Sequence, residues 1–233
     1  MFRAILHHLM NGIIILNKPK GMTSFSAVNT IHKLTKMKAG HAGTLDPMAE
    51  GVLLVLLGRA TKQAKQFESS DKEYLAEMTF GIETDSLDST GKIRSQKAVN
   101  VTEDNLREVM KEFAGEIDQI PPMYSALHHK GKRLYELARK GIEVERDPRK
   151  ITIHKLELKS FANNKAIFLV SCSKGTYVRS ICADIGTKLG CGAHMSALTR
   201  TRSGEYSIDK ALTLQEVVNL HNLGKIENAI CPI

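Results

Sequence analysis

Three short stretches of this sequence hold residues whose type and spacing can do chemistry. The first is Gly40-His41-Ala42-Gly43-Thr44-Leu45-Asp46-Pro47. Its two glycines permit a tight or left-handed backbone, and Pro47 pushes Asp46 out of the helical region into an extended conformation. The result is a carboxylate at a loop tip beside a buried strand. An isolated Asp-Pro pair, taken alone, reads more simply as a turn or a cap. The second stretch is Lys174-Gly175-Thr176-Tyr177-Val178-Arg179, at the end of a strand and the opening of a helix. Lys174 and Arg179 can hold phosphates there, or Arg179 can keep a neighbouring carboxylate ionised. By itself Arg179 also fits a solvated first-turn residue. The third is Tyr74 on an alternating strand, which alone fits a core tyrosine with a satisfied hydroxyl.

The elements that must position these residues follow from periodicity. Ile13–Leu16 reads as a buried strand, stopped by Asn17-Lys18-Pro19-Lys20-Gly21. Phe25, Val28, Ile31 and Leu34 recur at helical spacing behind Thr23 or Ser24 as cap. Val52–Leu57 is an unbroken apolar run, and over Glu73–Gly81 the side chains of Tyr74, Ala76, Met78 and Phe80 share one face. Residues 84–100 are polar and turn-rich and read as a loop. A helix carries Leu106, Val109, Met110 and Phe113 behind Thr102, and another runs over Arg133–Lys140 to a stop at Gly141. Strands at Ile151–Leu158 and Ala166–Cys172 precede a helix with Ile181, Ile185 and Leu189, which ends at Gly190. A small helical tail lies around Thr213–Leu223. Periodicity alone gives a mixture of helix and strand with no repeat or linker, hence one domain.

Composition narrows the partners. The chain has 233 residues, 42% hydrophobic, enough for one core without a disulfide or metal staple. Cys172, Cys182, Cys191 and Cys231 include no C-x-x-C pair, and no histidine cluster completes a zinc site, so they read as reduced thiols of a cytosolic protein. A net charge of +8 and a pI near 9.3 favour a polyanionic partner. With no Trp and only 5% aromatics, an aromatic platform for non-specific base stacking is disfavoured. The run Met1–Leu9 is too short for a signal or a membrane span; residues 1–9 read as an extension or an upstream start, ahead of a domain over 10–233.

Taken together, these segments resemble the tRNA pseudouridine synthase B family. The resemblance is carried by G-H-A-G-T-L-D-P, by G-V-L-L-V-L-L-G-R-A-T-K (51–62), by K-E-Y-L-A-E-M-T-F-G (72–81), by the P-P-M-Y-S-A-L run through 121–144 and by S-K-G-T-Y-V-R-S-I (173–181). N-K-P-K-G-M-T-S (17–24) and L-T-R-T-R-S-G (198–204) agree as well, in order and from about Met10 to the end. It implies the α+β pseudouridine synthase fold: a mixed, largely antiparallel sheet flanked by helices, with a central active-site cleft. It also implies that a uridine in the T-loop of tRNA is isomerised. Uracil leaves its ribose, turns and rejoins through carbon, so no cofactor, metal or energy source is needed.

The family's nucleophile falls on Asp46, which either attacks ribose C1′ or assists uracil loss to a glycal. Arg179 matches the cation that opposes that aspartate, and desolvation makes such a cation necessary. Tyr74 matches the tyrosine that stacks on the uracil; as a base, with an ordinary pKa of about 10, it needs a strong local shift or a relay. Tyr177 is expected to line the pocket and Leu198 to pack near the base. Lys18 matches a lysine that supports the site through structure or phosphate contacts. Lys174 is expected to contact substrate, and His41 matches the histidine that fills the gap left by flipped nucleotides.

Residues 121–150 resemble a mobile thumb that closes over the T-stem loop, with Lys130 and Arg133 among its cations, a reading favoured over the soluble charged hairpin that Glu136, Glu143, Glu145 and Asp147 also fit. The expected partner is tRNA, bound through its T-stem loop by a cytoplasmic monomer with no membrane or metal partner. Longer relatives add a C-terminal PUA module that grips the acceptor stem. This sequence stops at Ile233, about where that module would begin, so the module is expected to be absent and tRNA affinity weaker. Two other readings compete: a pseudouridine synthase of another RNA, and an RNA-binding or tRNA-folding protein with incidental catalysis. Against the second stands the joint presence of Asp46, Tyr74 and Arg179, which binding alone does not need.

Overall fold

The computed structural model describes residues 11–233, and the segment read as an extension, residues 1–9, lies outside the described residues. The apolar run after Asn11 forms β1 (Gly12–Lys18), buried at every position except Asn17. Next comes α1 (Ser24–Thr35), capped by Thr23, whose hydroxyl accepts from the Ser26 N–H. Its buried face is Ser24, Ala27, Val28, Ile31 and Thr35. Phe25, expected on that face, is 77% exposed, because it sits about 100° round the helix from Ser24. β2 (Ala39–Ala42) and β3 (Glu50–Leu57) pair antiparallel and hold the Asp46 loop between them. A 3-10 turn (Gly58–Gln63) leads into α2 (Ala64–Glu68).

β4 (Lys72–Phe80) alternates as expected, burying Ala76, Met78 and Phe80. The stretch read as loop over 84–100 instead contains half of a hairpin, β5 (Ile82–Thr84) with β6 (Ile93–Gln96). Strands of three and four residues are too short to display a period of two, so composition masked them. α3 (Glu103–Lys111) is capped by Thr102, and β7 (Gly115–Gln119) follows. The tight hairpin β8 (His128–His129) and β9 (Lys132–Arg133) leads straight into α4 (Leu134–Ala138). β10 (Arg149–Ala162) and β11 (Lys165–Cys172) form a long hairpin whose turn is Asn163-Asn164, both left-handed at φ 52° and 59°. The chain closes through α5 (Val178–Lys188), β12 (Ala193–Ser203), β13 (Tyr206–Ser207), β14 (Leu212–Thr213) and α6 (Leu214–Asn222), the last begun by a Thr213–Glu216 capping box.

The contacts gather into two compact units, residues up to 74 with 198–233, and residues 75–197; the boundaries fall inside β4 and β12. In the first unit the strand order is β14-β1-β3-β12, with β14 parallel to β1 and β12 parallel to β3, while β1–β3, β2–β3 and β12–β13 are antiparallel. Its core packs Ile13, Ile15, Val52, Leu54 and Leu56 against Phe67, Tyr206 and Ile208. In the second unit β10 lies between β7 and β11, antiparallel to both. Leu106 and Met110 of α3 and Ile181 and Ile185 of α5 are buried there. The fold is α+β with a mixed, largely antiparallel sheet, as expected. Among the described residues no helix is long and apolar enough to cross a membrane.

Candidate active site

Asp46 stands on a loop pinned at several backbone points, all within the first unit. The Ser24 hydroxyl, buried at the start of α1, accepts from the Leu45 N–H at 2.9 Å and donates to the Leu45 carbonyl at 3.0 Å. The Gly21 N–H donates to the Pro47 carbonyl at 2.7 Å, and the Ala49 N–H closes a turn onto the Asp46 carbonyl at 3.1 Å. Gly43 opens the loop at φ +82°, the left-handed value that its place in the motif anticipates. A half-buried carboxylate is thus held between an immobilised leucine and an immobilised proline.

Lys18, at the end of β1, is wholly buried and donates to the Pro19 and Met22 carbonyls at 2.9 and 2.7 Å. Its ammonium braces the loop that the Gly21–Pro47 bond ties to Asp46. Burial pulls its pKa from 10.5 down to about 8, opposed by the charges of Asp46 and Glu50 and assisted by that of Arg200. His41 sits on β2 opposite Val55, with Nδ1 buried and lacking a hydrogen-bond partner among the described residues. Burial lowers its pKa below 6.5, so at neutral pH the ring is uncharged. Tyr74 is half-buried on β4, and Leu198, 8% exposed, opens this unit's share of β12.

In the second unit Arg179 is only 4% exposed, in the first turn of α5. It is no solvated helix residue. Nη1 donates to the Ser86 carbonyl at 3.1 Å and Nη2 to the Tyr124 carbonyl at 3.0 Å, while Asp88 Oδ2 lies 3.5 Å from Nη1. Asp88 is itself fixed, its Oδ1 accepting from Ser86 Oγ, Thr90 N and Thr90 Oγ1 at 2.6–2.9 Å. Tyr177, which precedes α5, is held by a buried glutamine: Gln119 Nε2 donates to the Tyr177 carbonyl and the Tyr177 N–H donates to Gln119 Oε1. Lys174 is exposed beside Gly175. Lys130 and Arg133 are exposed on the β8–β9 hairpin, whose turn residues Lys130 and Gly131 both take positive φ.

A loop-borne carboxylate in one unit and a buried, carbonyl-bound arginine in the other match the motifs that carry the resemblance. A model described as TruB family pseudouridylate synthase (N terminal domain) matches residues 31–178, and the tRNA pseudouridylate synthase B C-terminal domain matches 179–232. The chain belongs to the TruB family. The TruB protein of Protochlamydia amoebophila, named tRNA pseudouridine synthase B, is 51% identical over 92% of this chain and 82% of its own length. One of the same name from Alkaliphilus oremlandii is 48% identical over 96% of this chain and 74% of its own. Among solved structures, a crystal structure of a Cbf5-Nop10-Gar1 complex aligns with a TM-score of 0.78 at 34% identity, over 97% of this TruB chain. This chain spans 61% of that one.

Sequence reasoning passed over several of the residues that position the TruB motifs. Asp88 and Ser86 fall in the stretch read as loop, yet they anchor Arg179. The signal available was Asp88-Ser89-Thr90-Gly91, a pattern suited to an aspartate that caps its own turn. Gln119 and Tyr124 flank the Pro121-Pro122 pair and gave no sign of their roles. Arg200 lies within L-T-R-T-R-S-G, where nothing in the sequence sets it apart from Arg202.

Proposed function

We propose that this chain converts a T-loop uridine of tRNA to pseudouridine, with Asp46 as the carboxylate that acts at ribose C1′. The observation that carries the reading is the pinned Asp46 loop in a chain of this family, since isomerisation requires one ionised carboxylate fixed against the sugar. The C1′–N1 bond breaks, uracil turns without leaving the site, and C1′ bonds to C5. The C5 proton is lost and N1 regains one, so substrate and product have the same atoms and no redox partner enters. Attack on C1′ and departure to a glycal both need the same charged carboxylate.

Arg179 supplies the positive charge that keeps a carboxylate ionised when water is excluded. Tyr74 stacks on the uracil, Tyr177 lines the pocket, and Leu198 packs near the base. Lys18 supports the loop, and Lys174 contacts a phosphate. His41, uncharged, fills space vacated by flipped nucleotides. Residues 121–150 act as the thumb on the T-stem loop, with Lys130 and Arg133 at its tip. The reaction belongs to the cytoplasm, and the chain acts as a monomer over one catalytic domain, residues 10–233. The test is to treat an unmodified tRNA transcript with the protein, derivatise it with a carbodiimide that marks pseudouridine, and map stops by primer extension. One stop at the T-loop uridine is expected. Stops confined to ribosomal RNA fragments, or none at all, would overturn the assignment.

A further inference from the structure

Arg200 is the bulkiest of the fully buried side chains among the described residues, at 1% exposure. A buried guanidinium is normally matched by a carboxylate. Here its donors go to backbone: Nε to the Val52 carbonyl at 2.6 Å and Nη2 to the Gly43 carbonyl at 3.0 Å. Gly43 is the first residue after β2, and Val52 lies near the start of β3. Those two carbonyls therefore bracket Asp46 along the chain. The Arg200 backbone is fixed as well, through the parallel β3–β12 pairing that sets it beside Gly51. The approach is so close that a Cβ on Gly51, which has φ +100°, would meet the Arg200 carbonyl oxygen at 2.3 Å. Arginine suits this task because its planar fork offers separated N–H groups to two acceptors, where a lysine offers a single nitrogen.

We infer that Arg200 is a positioning residue for the reaction, strapping both ends of the 43–52 segment to β12 and so setting where the Asp46 carboxylate stands. The inference rests on the reading of Asp46 as the nucleophile. Displacement of a reacting group by about 1 Å can cost roughly a hundredfold in rate. A strap of this kind acts on the chemical step and leaves RNA capture alone.

The experiment measures single-turnover pseudouridine formation at saturating tRNA, together with tRNA affinity, for wild type, Arg200→Lys, Asp46→Asn and the core truncation Ile31→Val. Arg200→Lys is expected to lose about ten- to a hundredfold in rate per folded protein, with tRNA affinity within about twofold. Ile31→Val, less stable but with the strap intact, is expected to keep the wild-type rate. Three results overturn the inference: an unchanged rate in Arg200→Lys, a parallel loss of affinity and rate, or an equal loss of rate in Ile31→Val. Activity in Asp46→Asn would instead remove the nucleophile reading beneath it. An inactive Asp46→Asn beside a fully active Arg200→Lys would sink the strap alone. Should Arg200→Lys fail to fold, hydrogen exchange on the wild type decides. The Ala49 amide should exchange as slowly as those of β3, and exchange at the rate of an open loop would contradict the strap.

Discussion

At the scale of single residues, charge and its supports decide what each group can do. Asp88 connects α5 to the hairpin turn by accepting from Ser86 and Thr90 while facing Arg179. Asp88→Asn keeps an oxygen for the Ser86 and Thr90 donors but removes the charge. The buried charge facing Arg179 at 3.5 Å is then lost, and displacement of a reacting group by about 1 Å can cost roughly a hundredfold, so the single-turnover rate should fall about ten- to a hundredfold in a protein that still folds. A loss under about twofold would mean that Asp88 does not position Arg179 for the reaction. Lys18 gives a pH signature. Its folded pKa of about 8 lies below the ordinary 10.5, so between those values the unfolded chain holds a proton that the folded one has released. Folded stability contributed by this group therefore rises as pH climbs through that window. The melting temperature of wild type relative to Lys18→Met should increase from pH 7.5 toward pH 10, roughly within the interval that these two values set; a difference independent of pH would refute the buried charge. Asp46 was visible as a candidate only through its motif and the family resemblance, because an Asp-Pro pair by itself fits a turn or a cap. Asp88 was not, because its function arises only when a turn is brought beside a helix ninety residues further on.

Among elements, the long periodic ones could be read directly and the short ones could not. β1, β3, α3 and the β10–β11 hairpin match the apolar patterns, because burial of one face over several turns or strand residues leaves a visible period. β12 was recognised only as a motif. It carries the buried Met195, Leu198 and Arg200 amid threonines and arginines, so its sequence looks polar. Residues 121–150 are a separate case: Met123, Leu134 and Leu137 pack with Leu127, Ala138 and Val144 into a small cluster of their own. Two arginines, Arg133 and Arg139, flank the Tyr135 ring at 6.0 and 5.4 Å. A cluster this small has little reserve. Leu134→Ala should remove on the order of 2 kcal/mol locally, at the low end for buried leucine, and loosen α4. Weaker tRNA binding with an unaltered rate at saturation is the expected outcome; unchanged affinity would argue that the segment does not grip RNA.

For the molecule as a whole, the +8 charge is the property most directly visible in sequence, and its consequence is measurable. Binding of tRNA should weaken linearly in a log–log plot against salt, since each phosphate neutralised releases counterions. Replacing Arg133 by Ala should lower the slope by about one if it meets a phosphate, and an unchanged slope would place it off the RNA path. Fold class and family were open to sequence reading because seven motifs occur in register over nearly the whole chain. The division into two compact units was not, since its boundaries fall inside β4 and β12, where no glycine, proline or polar linker interrupts the strands. The role proposed for Asp46 is to drive isomerisation of a T-loop uridine. It is tested most directly by counting tritium released from uridine C5 of a labelled tRNA transcript. Wild-type protein should release it, while Asp46→Asn and a transcript carrying cytidine at the target should give none. Release that persists in Asp46→Asn would rule out that role for the carboxylate.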